Sequence, residues 1–274
     1  MAGKSGIFIE SLEVVKEHKI LFVPNMLIFL TNLISLTLFL YVSKIGTALL
    51  NNQHIILKDS LVSSKFILLF IIYMVVNALI DNFFFTAKYG MIKEVLLKKK
   101  TNLNDGWSFA KKHYWTTLWI HMLSIMIIVI PMIILVVLLL SLFPVSVLAS
   151  VTIFIPLLVS YMIYITMRLL FVYPVMTFEE KGAYKSLENN FHFVKNHFSH
   201  TFATWLVVLV VSILTSIFRA NASSLSSLLS GQLFFMGLLA VILIVVVELV
   251  VSVWEQVYIF DSYLSAKKRK RRKR

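Results

Sequence analysis

The sequence predicts an all-α integral membrane protein with six transmembrane helices, and three observations support that fold class. Of the 274 residues, 59% are hydrophobic and 14% are charged, whereas a soluble domain averages about 45–50% apolar and about 25% charged residues. Six stretches are long and apolar enough to cross a bilayer. A short polar motif between them, FAKKHY at 109–114, is repeated as FVKNHF at 193–198. A water-soluble fold could not bury this much apolar surface.

The six apolar stretches are interpreted as helices because a spanning helix needs about 20 mostly apolar residues. An outer-membrane barrel would instead show segments of about 10 residues with alternating hydrophobicity. The predicted spans cover roughly 20–43, 65–87, 115–142, 146–174, 199–218 and 232–260.

The distribution of lysine and arginine predicts the orientation, because cytoplasmic connections carry an excess of both. With the N-terminus inside, the segments 1–19, 88–114, 177–198 and 267–274 hold 3, 7, 3 and 8 basic residues, together 21. The external connections hold four, which are Lys44, Lys58, Lys65 and Arg219. We therefore expect a multi-pass protein of the cell membrane with both termini in the cytoplasm.

This repeated polar motif belongs to a longer internal repeat. Residues 89–117 align with 173–201 without gaps, and the alignment pairs identical residues at six positions along its length. These pairs are Tyr89 with Tyr173, Leu103 with Leu187, Phe109 with Phe193, Lys111 with Lys195, His113 with His197, and Thr117 with Thr201. A weaker third copy near the N-terminus contains Lys16 and His18. The sequence thus predicts three units, at about 1–88, 89–174 and 175–264, in a single membrane domain (1–266) followed by a disordered tail (267–274).

Each copy carries apolar residues at the spacing i, i+4, i+7 and i+11, which makes a stripe along one side of a helix. The stripe is formed by Leu103, Trp107, Ala110 and Tyr114 in the second copy, by Leu187, Phe191, Val194 and Phe198 in the third, and by Phe8, Leu12 and Val15 in the first. We expect three amphipathic helices that lie in the headgroup layer with this stripe in the lipid.

The opposite side of each amphipathic helix carries a lysine and a histidine. Lys16, Lys111 and Lys195 are expected to reach lipid phosphates from the headgroup layer. The alternative is that His18, His113 and His197 converge as a three-nitrogen metal site. No carboxylate accompanies all three histidines as an outer partner, so no metal site is predicted.

Polar side chains inside the predicted spans form the candidate site. They lie toward the cytoplasmic side of the even-numbered spans and comprise Asn77, Asp81, Arg168, Glu248 and Glu255. A charge at the bilayer centre costs about 2.5–3.5 kcal/mol, so it usually faces a partner inside the bundle. Two interpretations stay open. One is an inward-facing polar cavity for an ion, a lipid headgroup or a small solute, and the other is a structural ion pair in which Arg168 satisfies one or two of the acids.

The last eight residues are all basic and follow the sixth span closely. They are Lys267, Lys268, Arg269, Lys270, Arg271, Arg272, Lys273 and Arg274. Such juxtamembrane runs bind anionic lipid, with each charge worth about 1 kcal/mol. No aromatic residue interleaves the run, so nucleic-acid bases would find no stacking platform. The expected partners are membrane lipids, anionic ones above all; a protein partner stays open, and no nucleic acid is expected.

Recognisable catalytic signatures are missing from the sequence. It contains no cysteine and no HExxH, GxSxG, P-loop or GxGxxG pattern. Connections of about 25 residues are too short to fold as a catalytic domain. We therefore expect no enzyme, no catalytic residues and no cofactor.

The stretch MRLLFVYPVMTFEEKGAYKSLENNFHFVKNHF, at 167–198, resembles a pattern of prokaryotic six-span families, those labelled glycerophosphoryl diester phosphodiesterase membrane domain and related families of unknown function. The matching residues are Arg168, Pro174, Glu179, Ala183 and Ser186. In those families the phosphodiesterase belongs to a separate catalytic domain, which is not found in this sequence. The resemblance implies a membrane module. Gly90 stands where the other copy has Pro174, so the pattern is not shared by both copies.

Three functions follow as expectations, in this order. The first is a non-enzymatic membrane module that organises lipid or partner proteins. The second is a transporter or permease-like protein that uses the inward-facing polar cavity, and an intramembrane enzyme acting on lipid ranks third.

Overall fold

The structure is a computed structural model, and it describes residues 4–43, 45, 63–142, 147–228 and 234–272. Nine α-helices are found in these ranges, with a 3₁₀ turn at Lys19–Phe22 before the second. They are α1 (Lys4–Glu17), α2 (Val23–Val42), α3 (Ser64–Lys98), α4 (Leu103–Leu142), α5 (Val147–Leu169), α6 (Val172–Glu179), α7 (Ala183–Asn196), α8 (Phe198–Leu228) and α9 (Phe234–Arg272).

Six segments are long and apolar enough to cross a membrane, which confirms the predicted six-span, all-α class. They are Lys19–Val42, Ser64–Lys98, Leu103–Leu138, Ile155–Glu179, Phe198–Asn221 and Gly237–Lys268. The fourth segment consists of two helices, because the helix is interrupted between α5 and α6 near Leu170. The chain is a multi-pass membrane protein by the length and composition of these helices.

A tight turn joins α3 to α4. Helix α3 is followed by Lys99, whose φ of 55° is left-handed. Helix α4 begins with two reciprocal hydrogen bonds between Asn102 and Asp105. The Asp105 amide donates to the Asn102 side chain at 2.8 Å, and the Asn102 amide donates to the Asp105 carboxylate at 3.1 Å. Both bonds satisfy amides that the first turn of a helix leaves free. The two helices therefore run antiparallel from this turn.

The first turns of α4 lie unusually close to α3. A Cβ on Gly90 would be 2.5 Å from the Phe109 Cβ, and a Cβ on Gly106 would be 2.8 Å from the Met91 side chain. Two glycines thus let the backbones approach to a distance that other residues forbid.

Several stripe residues face protein, so for them the expectation that they face lipid was wrong, whereas Leu12 and Phe198 are exposed. In the second copy no separate surface helix exists, because α4 runs without a break from Leu103 to Leu142. Its stripe residue Ala110 is fully buried, and Trp107 stacks on Phe83 of α3 with ring centroids 5.2 Å apart. In α7, Leu187 and Val194 are buried as well. Periodicity shows that one side of a helix is apolar, but it does not show what covers that side.

Most buried side chains lie at one end of the bundle, and Ile45, just beyond α2, is buried at the other end. We call the former the basic end, because Lys93, Lys98, Lys112 and Lys267 lie there. A single cluster at this end joins α1, α3, α6 and α9 through Ile7, Ile92, Met176 and Val257. The opposite part of the spans, here called the far half, comprises 26–42, 63–76, 121–138, 155–164, 209–221 and 237–252. None of its described side chains is buried.

The start of the basic tail is helical. The sequence predicted a disordered segment from Lys267 onward, whereas α9 continues through Lys267 to Arg272. The last two residues lie outside the described part. The helix thus extends about six residues into the basic run, a rise of about 9 Å.

Candidate functional site

Three neighbouring spans carry rows of polar side chains, and together we call these rows the polar groove. On each helix these residues recur at intervals of 3, 4 or 7 residues, so they lie on one side of it. They are Asn25, Asn32 and Ser35 of α2, Asn77, Asp81 and Lys88 of α3, and Glu248, Ser252 and Glu255 of α9. From Asn77 to Lys88 the row is about 16 Å long, which is half the hydrocarbon thickness.

At the basic end, Asn25 connects all three helices. The Lys88 ammonium donates to the side-chain carbonyl oxygen of Asn25 at 2.5 Å, and the side-chain amide nitrogen of Asn25 donates to the Ser252 hydroxyl at 3.3 Å. Lys88 has no exposed surface. Its ammonium also lies 4.9 Å from the centroid of the Phe85 ring and interacts electrostatically with Glu255, without a direct ion pair. A buried ammonium is thus held by one amide, one ring and one carboxylate at longer range.

Toward the far half, Asp81 and Asn77 pair with α2. The Asn32 amide lies 3.3 Å from each carboxylate oxygen of Asp81. The Ser35 hydroxyl donates to the Asn77 carbonyl at 2.6 Å. Both contacts join spans 1 and 2 at membrane depth, where polar groups need partners within the protein.

A cavity of about 290 Å³ lies along the groove, beside the contact between Asn25 and Ser252. This volume is near the lower limit of ligand pockets, which are about 300–1,000 Å³. Its walls are largely apolar, with four polar residues among them. They comprise Ile28, Phe29, Phe85, Val245 and Leu249, together with Asn25, Asn32, Glu248 and Ser252.

Four of the five predicted site residues lie along this groove: Asn77, Asp81, Glu248 and Glu255. Arg168 does not, and among the described residues the structure shows no ion pair between Arg168 and these acids, the pairing that one of the two interpretations required. Its guanidinium stacks 5.2 Å from the Tyr164 ring at the end of α5, and its backbone carbonyl accepts from the Asn190 amide at 2.6 Å. A guanidinium at the end of a helix can face the interface, where water replaces a protein partner.

The ion-pair partner of Glu248 is Arg219 of the adjacent helix α8. The sequence predicted Arg219 to lie in an external connection, whereas α8 continues past it to Leu228. Hydropathy identified the apolar part of the span but not the polar turns that extend it, and the pairing across two helices therefore was not foreseen.

The groove residues that sequence reasoning missed are Asn25, Asn32, Ser35, Lys88 and Ser252. A signal existed for the first two, because asparagines seven residues apart in an apolar span lie on one side of the helix. Lys88 was counted with the cytoplasmic connection, since the predicted span ended at residue 87.

A second cluster joins five helices, α3, α4, α6, α7 and α9, at the basic end. Glu180, which has a left-handed φ of 49° after α6, accepts from Lys93 at 2.5 Å and from Lys112 at 2.6 Å. The hydrogen bonds from Lys112 and Lys93 lower the pKa of the Glu180 carboxyl to about 2. These bonds join α6 to α3 and α4.

The neighbouring Glu179 completes this cluster on its other side. It accepts from the Asn189 amide at 2.7 Å, from the Lys267 ammonium at 2.8 Å and from the Tyr263 hydroxyl at 2.9 Å. We call Glu179 and Glu180 with these partners the acidic clamp. The first lysine of the basic tail is therefore held by the protein itself.

The histidines of the repeat do not converge on a metal site. In the described ranges no three histidine, aspartate or glutamate side chains are placed to hold a metal ion. His113 lies 3.6 Å from Glu180 in the clamp, and the His197 ring packs on Phe193 with centroids 4.6 Å apart.

A serine and a histidine meet where α8 packs on α9. The His200 Nε2 lies 3.0 Å from the Ser262 carbonyl oxygen and 2.9 Å from the Ser262 hydroxyl. Because a carbonyl oxygen only accepts, Nε2 must carry the hydrogen of that bond. It therefore cannot take a proton from the serine in this geometry, and the contact joins the two helices.

Comparison with known proteins finds no matching family model, no similar curated protein and no similar solved structure. The resemblance of 167–198 to the six-span membrane-domain families stays an expectation from the residues quoted. Of those residues, Pro174 and Ser186 are buried and Glu179 lies in the acidic clamp.

Proposed function

We propose that this protein is a non-enzymatic membrane module that holds lipid between its three hairpins, α2–α3, α4–α5 and α8–α9. The observation that carries the proposal is the contrast in packing between the two ends of the bundle. The basic end has a tight core, and the far half has no buried side chain in the part that the structure describes.

Contacts within hairpins hold pairs of helices together in the far half. Phe39 of α2 packs on Tyr73 of α3 with centroids 4.9 Å apart, and the Tyr161 hydroxyl of α5 donates to the Ile127 carbonyl of α4 at 2.6 Å. Large apolar side chains of this half are left exposed by the protein, among them Ile134 and Val246. Dispersion contacts favour covering such surface, and acyl chains are the most abundant apolar material in a bilayer.

The basic end would face the cytoplasmic leaflet of the cell membrane, with both termini inside. Lys16, Lys111, Lys195 and Lys268 are exposed at this end, where they could contact anionic headgroups. Lys267 is the exception among the predicted lipid-surface residues, because it is bound to Glu179. The side chains of 269–274 lie outside the described part.

Native mass spectrometry of the protein, extracted with its own lipid, tests this function. We expect lipid to remain bound after mild delipidation, and we expect its removal to lower the melting temperature until lipid is added back. A protein that sheds all lipid with no change in melting temperature would contradict the proposal. Retention of a second protein in place of lipid would shift the function to partner organisation.

A second function, a transporter or permease-like activity, is favoured by one specific observation. The polar row on α2, α3 and α9 reaches from Lys88 to Asn77, about half of the hydrocarbon thickness, and a cavity lies along it. Polar residues at this depth typically mark a path for a ligand or an ion. The kind of ligand is inferred below.

A further inference from the structure

The polar groove contains more acidic than basic side chains. Asp81, Glu248 and Glu255 lie in it, and Lys88 is its basic residue. Glu248 forms an ion pair with Arg219 of α8, and Lys88 interacts electrostatically with Glu255. Among the described residues, Asp81 is bonded to the neutral Asn32 amide, at 3.3 Å to each oxygen. With these groups ionised, three acids and two bases give the groove together with Arg219 a formal charge of −1.

The unbalanced carboxylate lies next to the cavity. Asn32 and Glu248 line the cavity, and Asp81 is bonded to Asn32. Phe85, one helical turn from Asp81 on α3, also lines it, as does Phe29 of α2. The Phe29 side chain is 49% exposed, so the cavity opens toward the lipid. Carboxylates combined with aromatic faces are the chemistry that recognises an organic ammonium group.

We propose that the polar groove binds an organic ammonium compound. Its cationic nitrogen lies between Asp81 and Glu248, and its apolar part lies against Phe29 and Phe85. A cavity of about 290 Å³ admits a small amine or the headgroup of an aminolipid that enters from the bilayer. The proposal deepens the transport function above and does not depend on lipid held in the far half.

Binding to the full chain in nanodiscs tests the site. The nanodiscs contain phosphatidylglycerol alone, which has no amine, and empty nanodiscs are subtracted. Phenethylamine, an ammonium ion at neutral pH, is compared by calorimetry with 2-phenylethanol, its neutral analogue. We expect the ammonium compound to bind at least about tenfold more tightly, since one favourable charge contact of about 1.4 kcal/mol produces that ratio. Equal affinities would overturn the proposal, and this comparison needs no variant.

Asp81→Asn keeps the size of the side chain and removes its charge. We expect it to weaken phenethylamine binding at least about tenfold and to leave 2-phenylethanol unaffected. The matched control is Glu188→Gln on α7, where a carboxylate pairs with Lys185 far from the groove and should change the affinity less than about twofold. If folded Asp81→Asn binds phenethylamine with unchanged affinity, the Asp81 carboxyl carries no charge that the ligand uses, and the proposal is overturned.

The same assay distinguishes the two sources of the ammonium group. Phosphatidylethanolamine added to the nanodiscs should compete with phenethylamine if the natural ligand is a lipid headgroup. An unchanged affinity for phenethylamine would indicate a water-soluble amine. Either result supports an ammonium site, and neither depends on whether the far half retains lipid.

Discussion

Lys88 shows how one side chain can determine the arrangement of three helices. Its ammonium has no exposed surface, and Asn25 supplies its hydrogen-bond acceptor. Leaving a buried charge without a partner costs several kcal/mol, so α2 is fixed against α3 where Asn25 meets Lys88. Asn25 also donates to Ser252, which brings α9 to the same point. The three helices of the groove therefore meet at Asn25.

Gly90 provides a prediction at the residue scale. A Cβ at this position would lie 2.5 Å from the Phe109 Cβ, and neither backbone can move without opening the α3–α4 contact. We expect Gly90→Ala to destabilise the protein by about 1–3 kcal/mol, the usual cost of overpacking. Thermal unfolding in detergent measures the effect.

The control for this prediction is Gly182→Ala. A Cβ at Gly182 would meet nothing within 4 Å, and its φ of −62° suits any residue. It should change the melting temperature little. Equal losses in both variants would show that α3 and α4 are not in close contact.

At the scale of elements, the acidic clamp predicts acid sensitivity of the junction after α6. The pKa of Glu180 falls from its ordinary 4.5 to about 2 in the folded protein, so the unfolded state binds the proton more readily. The stabilisation is complete above about pH 4.5 and is lost as the pH falls toward 2. Because the Glu180 side chain is 37% exposed, we expect no more than about 1 kcal/mol for each ion pair.

Glu180→Gln should remove this part of the acid dependence. Unfolding measured at pH 6 and again near pH 3 should show a smaller difference between the two conditions in the variant than in the unchanged protein. Glu13→Gln, on the exposed side of α1, serves as the control and should keep the original difference. A Glu180→Gln variant that loses as much stability in acid as the unchanged protein would contradict the clamp.

The elements also show where sequence reasoning was sufficient. The six spans were predictable because length and apolarity are local properties of each segment. The ends of α3 and α8 were not, since polar turns containing Lys88 or Arg219 extend a helix without extending the apolar run. The direction of the α4 and α7 stripes depended on which helix packs beside them. That choice is made by tertiary contacts, such as Trp107 on Phe83.

At the scale of the whole molecule, the groove illustrates what a single sequence leaves open. Asn77, Asp81, Glu248 and Glu255 were identified because polar groups at bilayer depth are costly. Their grouping with α2 was not, because it requires spans 1, 2 and 6 to be neighbours. Arg168 was chosen by the same cost argument and lies elsewhere, beside Tyr164. The free-energy cost of a polar group at bilayer depth identifies the unusual residues, whereas the packing of the helices determines which residues are their partners.

The contrast between the two ends of the bundle gives the last prediction, and α4 contains both members of a matched pair. Ile120 at the basic end is fully buried, whereas Ile134 in the far half is 54% exposed. We expect Ile120→Ala to cost about 2–5 kcal/mol, as buried large-to-small substitutions do. Ile134→Ala should cost less than about 0.5 kcal/mol in a bilayer, because this side chain is half exposed and, on the proposed function, lipid fills the space that the smaller side chain leaves.

A second pair on α9 repeats the test in another hairpin. Val257 is fully buried and Val246 is 48% exposed, so Val257→Ala should destabilise the protein more than Val246→Ala. Unfolding of all four variants in nanodiscs provides the comparison. Equal costs at both ends would mean that protein also covers the far half, either by closure of the hairpins or by a partner, and lipid would then have no place between them. Unequal costs that persist in every lipid tested would support acyl chains as the material that fills this half.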